Sequence, residues 1–200
     1  MKAYLTRIDT AFALRLAALL EARGYGILTC DDAVDEPVDL FIATENAHLP
    51  GDDFDARSAG SAQAVMDSYH HNLFSPLVQL ERLLPHLDKG AGKRLCFLSS
   101  RTASVNQSDA TMGFGYNMSK ASLHTALAIF KNKLIHEGYT FRLFDPMENE
   151  GHPRATVETA AQAALTYFLT NRAHENRPSR DRDDEMRLVL RDALGREWPY

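Results

Sequence analysis

Short apolar runs separated by helix-length amphipathic segments constrain this chain most. Ala3-Tyr4-Leu5, Gly26-Ile27-Leu28-Thr29 and Val38-Asp39-Leu40-Phe41-Ile42-Ala43 read as strands in the first quarter of the sequence. Arg94-Leu95-Cys96-Phe97-Leu98-Ser99-Ser100 is the clearest buried strand, followed by Tyr139-Thr140-Phe141-Arg142-Leu143-Phe144 and Arg187-Leu188-Val189-Leu190-Arg191. Between the first two runs, Phe12, Leu16, Leu19 and Leu20 follow the spacing of one helix face; Asp9 or Thr10 can cap that helix and Gly24 ends it. A long helix is expected over 61–87, broken or kinked at Pro76, with others over 116–136 and 156–169. Lys89-Gly90-Ala91-Gly92-Lys93 reads as a turn and the charged stretch 171–187 as a solvated loop. Strands alternating with crossover helices imply an α/β doubly wound parallel sheet with helices on both faces, in one domain over 1–200.

Such a sheet binds ligands beyond the carboxyl ends of its strands, so the residues after each run are the ones to inspect. Composition narrows what those ligands are. The chain carries 22 Lys and Arg against 27 Asp and Glu, a net charge of -5, which gives no electrostatic reason for nucleic-acid or anionic-membrane binding. No run reaches the roughly 18 apolar residues of a membrane span, and the first residues lack the apolar core of a secretory signal. A cytoplasmic location and a small-molecule substrate are the expectation. Cys30 and Cys96 both lie in apolar stretches and are expected as reduced core residues. No HxxxH, HExxH or GxSxG pattern occurs, which argues against a metal site or a serine hydrolase of that kind.

Tyr116-Asn117-Met118-Ser119-Lys120 opens a helix and is the sharpest chemical feature. Residues four apart share a helix face, and an ammonium beside a phenol lowers the phenol from its usual value of about 10. Tyr116 can then donate a proton to a carbonyl oxygen or take one from an alcohol. Ser100, at the end of the preceding strand, can bond the same oxygen. Tyr and Lys at this spacing are also common on surface helices, so the pair needs context.

The context is a resemblance. Phe97-Leu98-Ser99-Ser100, Tyr116-Asn117-Met118-Ser119-Lys120-Ala121-Ser122-Leu123 and Phe141-Arg142-Leu143-Phe144-Asp145-Pro146 resemble, in order, segments of the short-chain dehydrogenase/reductase family. Upstream, Tyr69-His70-His71-Asn72-Leu73-Phe74-Ser75-Pro76 is similar to the family's fourth-helix segment, and 194–200 to the final turn of some shorter members. The resemblance implies a Rossmann-like fold. It implies a catalytic set of Asn72, Ser100, Tyr116 and Lys120, with Tyr116 as general acid/base and Lys120 acting on it and on the nicotinamide ribose. Ser100 would polarise the substrate carbonyl, Ser99 being the alternative serine, and Asn72 would hold a relaying water. Contacts to a cofactor, NAD or NADP, are expected from Thr6, Arg7, Asp9, Asp31, Lys120 and Pro146.

The cofactor end departs from the family pattern. Its glycine-rich turn becomes Thr6-Arg7-Ile8-Asp9-Thr10-Ala11-Phe12-Ala13, with every glycine gone. Those glycines let the backbone approach a diphosphate at the helix N-terminus. Arg7 could meet a phosphate or fill the space, and Asp9 would repel one. NNAG is replaced by Ala43-Thr44-Glu45-Asn46, and the Pro-Gly after the sixth strand by Pro146-Met147, with Glu148 and Glu150 following. The stretch from Asp31 to Val38 is too short for the family's third strand and its helix, so the sheet is reduced on that side. Two functions are therefore expected: an oxidoreductase interconverting a carbonyl and an alcohol with a nicotinamide cofactor bound in an altered mode, or a cofactor-free relative serving as a binding protein or non-catalytic partner. A homodimer or larger oligomer, or pairing with an active subunit of the family, is expected through the two long helices. Phe74, Leu80, Leu83, Leu123, Leu127 and Phe130 are candidates either for that face or for the core.

Overall fold

The computed structural model describes residues 1–52, 62–147, 153–170 and 188–199. The solvated loop expected over 171–187, the helix start at Ser61, and Glu148 and Glu150 lie outside the described residues.

Among the described residues, seven strands form one sheet in the order β2-β1-β3-β4-β5-β6-β7. They are β1 (Lys2–Leu5), β2 (Gly26–Leu28), β3 (Leu40–Ala43), β4 (Arg94–Leu98), β5 (Thr140–Asp145), β6 (Leu190–Asp192) and β7 (Glu197–Trp198). All neighbouring pairs are parallel except β6 with β7. The helices are α1 (Ala11–Glu21), α2 (Ala62–Tyr69), α3 (Ser75–Leu87), α4 (Phe114–Leu134) and α5 (Val157–Leu169). This is a Rossmann-like sheet, and the short link from β2 to β3 leaves β2 at its edge, as the sequence implies.

The two faces follow strand alternation. Tyr4, Phe41 and Phe97 point to one face, where Leu80, Leu83 and Leu87 of α3 and Leu123 and Leu127 of α4 cover them. Ala3, Leu5, Ile42, Cys96 and Leu98 point to the other, under Phe12, Leu16 and Leu20 of α1 and Ala161, Ala164, Leu165 and Phe168 of α5. Each buried Leu or Phe contributes about 1.5–3 kcal/mol relative to exposure. Leu80, Leu83, Leu123 and Leu127 are thus sheet-facing core and Phe130 packs partly against it, whereas Phe74 is exposed. The outward side of the helix pair carries Met66, Phe74 and Val78 with Met118 and Ile129.

Helix boundaries have local causes. Thr10, not Asp9, caps α1, accepting from Ala13 N at 3.1 Å. Thr156 and Thr159 form a reciprocal capping box on α5. The break expected at Pro76 falls earlier, in a π-helical turn at His70–Phe74 that contains Asn72. Pro76 lies at the start of α3, where its missing N–H costs nothing. Gly90 is fixed by crowding, since a Cβ there would lie 1.9 Å from the Val38 oxygen. Cys96 is buried as expected, but Cys30 is exposed, because β2 stops at Leu28 and the chain leaves the core before the thiol.

Candidate active site

Strand order reverses between β1 and β3, and the loops after β1, β3, β4 and β5 converge at that end of the sheet. The turn after β3 organises the centre. Lys120 is fully buried, and its Nζ donates to the backbone oxygens of Glu45 and Leu98 at 2.5 and 2.9 Å. Burial brings this lysine down from 10.5 to about 7, with Glu45 and then Asp145 opposing the fall. The ammonium lies 6.0 Å from the Tyr116 ring centroid, so the expected pairing on one face of α4 is present. The Tyr116 hydroxyl donates to Asn46 Oδ1 at 2.8 Å, and the His48 ring stacks on the Tyr116 ring with centroids 3.6 Å apart.

Asn72 reaches the same turn. Its Oδ1 accepts from Ala47 N at 3.1 Å and its Nδ2 donates to Ala47 O at 3.0 Å. The amide expected to hold a water is therefore engaged on both sides by one residue's backbone. Asp52 also acts from this loop. Gly113, in the left-handed region, gives α4 no side-chain cap, and buried Asp52 accepts from Tyr116 N at 2.8 Å and from Ser68 Oγ at 3.1 Å. The carboxylate supplies the missing cap.

The two serines separate cleanly. Ser100 caps the 3₁₀ turn Arg101–Ala103 and lines a cavity with Tyr116. Ser99 is fully buried behind it, 2.5 Å from His124 Nε2, and burial lowers His124 to about 4. The cavity, about 160 Å³, is lined by Asn46, His48, Ser100, Thr102, Tyr116 and Asn117 on its polar side and by Ala110, Met112 and Met147 on its apolar side, with Asp145 at the back. Asp145 accepts from Arg101 N and Met147 N at 2.7 and 2.8 Å, pinning the loops after β4 and β5. Met147, where the resemblance expects glycine, has a positive φ of 58°.

A second concavity, about 470 Å³, lies beside the first. Thr6, Arg7, Ile8, Asp9, Thr29, Cys30, Asp31, Ser75 and Gln79 line it, so the structure brings together four of the six expected cofactor residues. The other two lie elsewhere: Lys120 is buried under the Glu45 turn, and Pro146 is buried and lines neither concavity. The groove is open. Phe12 packs in the core against Phe144, and Arg7 folds back onto Asp9, Nε to Oδ2 at 2.7 Å. Its size and its hydroxyl, amide and carboxylate lining fit the adenosine half of a dinucleotide. The diphosphate position is less accommodating: Arg7 is paired with Asp9, and Thr10 already caps the helix.

Glu45 and Asn46 stand between the two concavities. The Glu45 carboxyl, raised by burial, accepts from Thr6 Oγ1 at 2.6 Å and from Ser75 Oγ and Gln79 Nε2 at 3.3 Å each. Asn46 faces the other way, onto Tyr116. Sequence reasoning noted the changed tetrapeptide but not this division of labour, nor the parts of His48 and Asp52. Both meet Tyr116 from more than 60 residues away, and no local pattern announces them.

No family model matches the chain. Over 89 residues it is 32% identical to C-signal of Myxococcus xanthus, an alignment that takes in 43% of this chain and 54% of that one. The chain thus aligns with about half the length of that curated relative. Solved structures match along the whole chain. A carbonyl reductase from Pseudomonas aeruginosa PAO1 in complex with NADP has a TM-score of 0.73 at 16% identity, covering 100% of both chains. A Burkholderia multivorans chain described as a short-chain dehydrogenase/reductase, with bound NADP, has 0.74 at 15%, covering 100% and 99%. An NADPH-bound carbonyl reductase from chicken fatty liver has 0.63 at 14%, covering 100% and 87%. The fold is the Rossmann-like fold of short-chain dehydrogenases/reductases.

Proposed function

We propose that the protein is a short-chain dehydrogenase/reductase-type oxidoreductase interconverting a carbonyl compound and an alcohol, with Tyr116 as general acid/base. The observation that carries this reading is the Tyr116–Lys120 pair on the buried face of α4, with Tyr116 and Ser100 lining one cavity. A nicotinamide cofactor would supply the hydride in reduction as NADH or NADPH and take it up in oxidation as NAD or NADP. In reduction, Tyr116 Oη gives its proton to the carbonyl oxygen and Ser100 Oγ donates to that oxygen. Lys120, in its protonated form, acts through its charge on the phenol. Asn72 positions the turn 45–48 that faces both. Thr6, Arg7, Asp9 and Asp31 would hold the dinucleotide's adenosine end in their groove, where Arg7, once released from Asp9, would supply a charge for phosphate. Lys120, held on the Glu45 and Leu98 backbone oxygens, and Pro146, buried outside both concavities, would reach a nicotinamide end only if the turn 45–46 moved aside.

Titration with NADH and NADPH, followed by nicotinamide fluorescence or calorimetry, tests the reading. Saturable binding is expected, and its absence at millimolar cofactor ends the proposal. Tyr116→Phe is expected to abolish turnover with cofactor affinity nearly unchanged; an unaffected rate removes Tyr116 from the mechanism.

A second reading, a cofactor-free binding protein or non-catalytic partner, is favoured by one arrangement. The Glu45–Asn46 turn separates the groove from the cavity and already engages Lys120 and the Tyr116 hydroxyl. The same titration separates the two. In either case the chain self-associates, or pairs with an active subunit, through the outward face of α2, α3 and α4 at Met66, Phe74, Val78, Met118 and Ile129. Sedimentation of Phe74→Glu against the parent checks this: a shift toward monomer is expected, and unchanged association excludes the face.

A further inference from the structure

The cavity in front of Tyr116 has a built-in occupant. The amide oxygen of Asn46 is a carbonyl oxygen, and it sits 2.8 Å from the Tyr116 hydroxyl. That is hydrogen-bond distance from the proton a reacting carbonyl must receive. Behind the amide, the cavity closes on Ser100, Thr102 and Asn117, and on the apolar walls of Ala110, Met112 and Met147.

We infer that this cavity is a site for a small uncharged carbonyl compound or alcohol, and that Asn46 holds the carbonyl place until such a ligand displaces it. Asn46 is thereby a specificity-determining residue. The inference deepens the reading of Tyr116 as the group that meets the substrate, and rests on it.

Size, polarity and charge each narrow the class. A cavity of about 160 Å³ compares with one of about 150 Å³ that accepts benzene, so about six to eight non-hydrogen atoms fit. The apolar walls suit a hydrocarbon body, and the hydroxyls of Ser100 and Tyr116 suit one oxygen. Among the described residues the lining contains no Lys or Arg, and the Asp145 carboxylate is part of it. A carboxylate or phosphate ligand would meet like charge there and lose its hydration without a Lys or Arg counter-ion among the described lining residues. Displacing Asn46 exchanges one neutral hydrogen bond for another, a balance within about tenfold in affinity.

The test uses the full chain without cofactor, carrying ¹³C-methyl methionine. Met112 and Met147 line the cavity and report on it directly, their signals assigned by Met112→Leu and Met147→Leu. Cyclohexanone and cyclohexanol are expected to shift both signals saturably. Cyclohexanecarboxylate is expected to bind at least about tenfold more weakly. Asn46→Gly removes the competing amide and is expected to tighten cyclohexanone by about tenfold. Asn46→Ala serves the same purpose should the glycine variant fail to fold, with thermal unfolding as the control. Equal binding of the carboxylate, no response to the neutral ligands, or weaker binding in both Asn46 variants overturns the proposal. Turnover separates it from the broader reading. Ligand binding with no cofactor binding leaves the cavity proposal standing and removes the oxidoreductase. Reduction confined to bulky or charged carbonyls does the reverse.

Discussion

Lys120 donates its side-chain ammonium to the backbone oxygen of Glu45 at 2.5 Å, in a place sealed from water. Burial dominates its proton affinity, bringing it from 10.5 to about 7. Between those values the unfolded chain holds a proton that the folded chain has released, so this residue makes stability rise with pH from about 7 and level off above 10.5. The whole effect is about 5 kcal/mol, or about 1.4 kcal/mol per pH unit inside the window. Lys120→Met is expected to lack this rise. Urea unfolding of both proteins from pH 6.5 to 9.5 checks it: the parent gains on the variant as pH increases, and parallel curves refute the assignment.

His124, one turn further along α4, works at the acid end. Burial and then Lys120 lower it from 6.5 to about 4. As pH falls through that interval the unfolded chain takes up a proton first, and up to about 3 kcal/mol of stability is lost. His124→Gln can keep a hydrogen bond to Ser99 without titrating. Its melting temperature is expected to fall less than the parent's between pH 6.5 and 4.5; identical acid profiles would show that His124 is not the group responsible.

Local patterns carried most of this fold and half of its centre. The 12/16/19/20 stripe and the stop at Gly24, whose φ is +83°, are visible within one helix. So is the Tyr116–Lys120 spacing. What was hidden depends on contacts across the chain. The start of α4 moves from the expected Tyr116 to Phe114 because Asp52, 64 residues before Tyr116, caps it. The partner of the Tyr116 hydroxyl is 70 residues away at Asn46. At the other end, 197–198 forms a strand rather than a simple turn. Asp192 ties it down by accepting from Arg196 Nε and Trp198 Nε1. Met147 shows a subtler case: a substitution that reads as loss of a glycine keeps the left-handed backbone, with Asp145 bonding its N–H.

The long-range cap on α4 yields its own test. Asp52 accepts from Tyr116 N and Ser68 Oγ, and Gly115 leaves them room: a Cβ there would lie 2.9 Å from Ser68 Oγ and 3.1 Å from Asp52 Cβ. Asp52→Ala removes the cap and leaves buried donors without a partner, at about 1–3 kcal/mol. Gly115→Ala pushes the same contact apart, so the two changes act on one feature. Their double variant is expected to be less destabilised than the sum of the singles, measured by denaturant unfolding. Strict additivity would mean that Gly115 and the cap are independent.

The ion pair at the start of α1 decides how well the groove can hold a dinucleotide. Arg7 Nε and Nη2 both reach Asp9 Oδ2, on side chains about half exposed. Exposed pairs of this kind contribute at most about 1 kcal/mol to stability, so Asp9→Asn is expected to leave the fold nearly unchanged. Its effect on ligand should be larger. The substitution removes one negative charge from the helix N-terminus and releases the guanidinium toward the diphosphate. Asp9→Asn is therefore expected to bind NADPH about tenfold more tightly at low ionic strength, with the gain shrinking as salt rises. Fluorescence titration at two salt concentrations measures both. An unchanged or weaker affinity would mean that the diphosphate does not pass this corner of the sheet, and that Arg7 and Asp9 serve only to close the first turn.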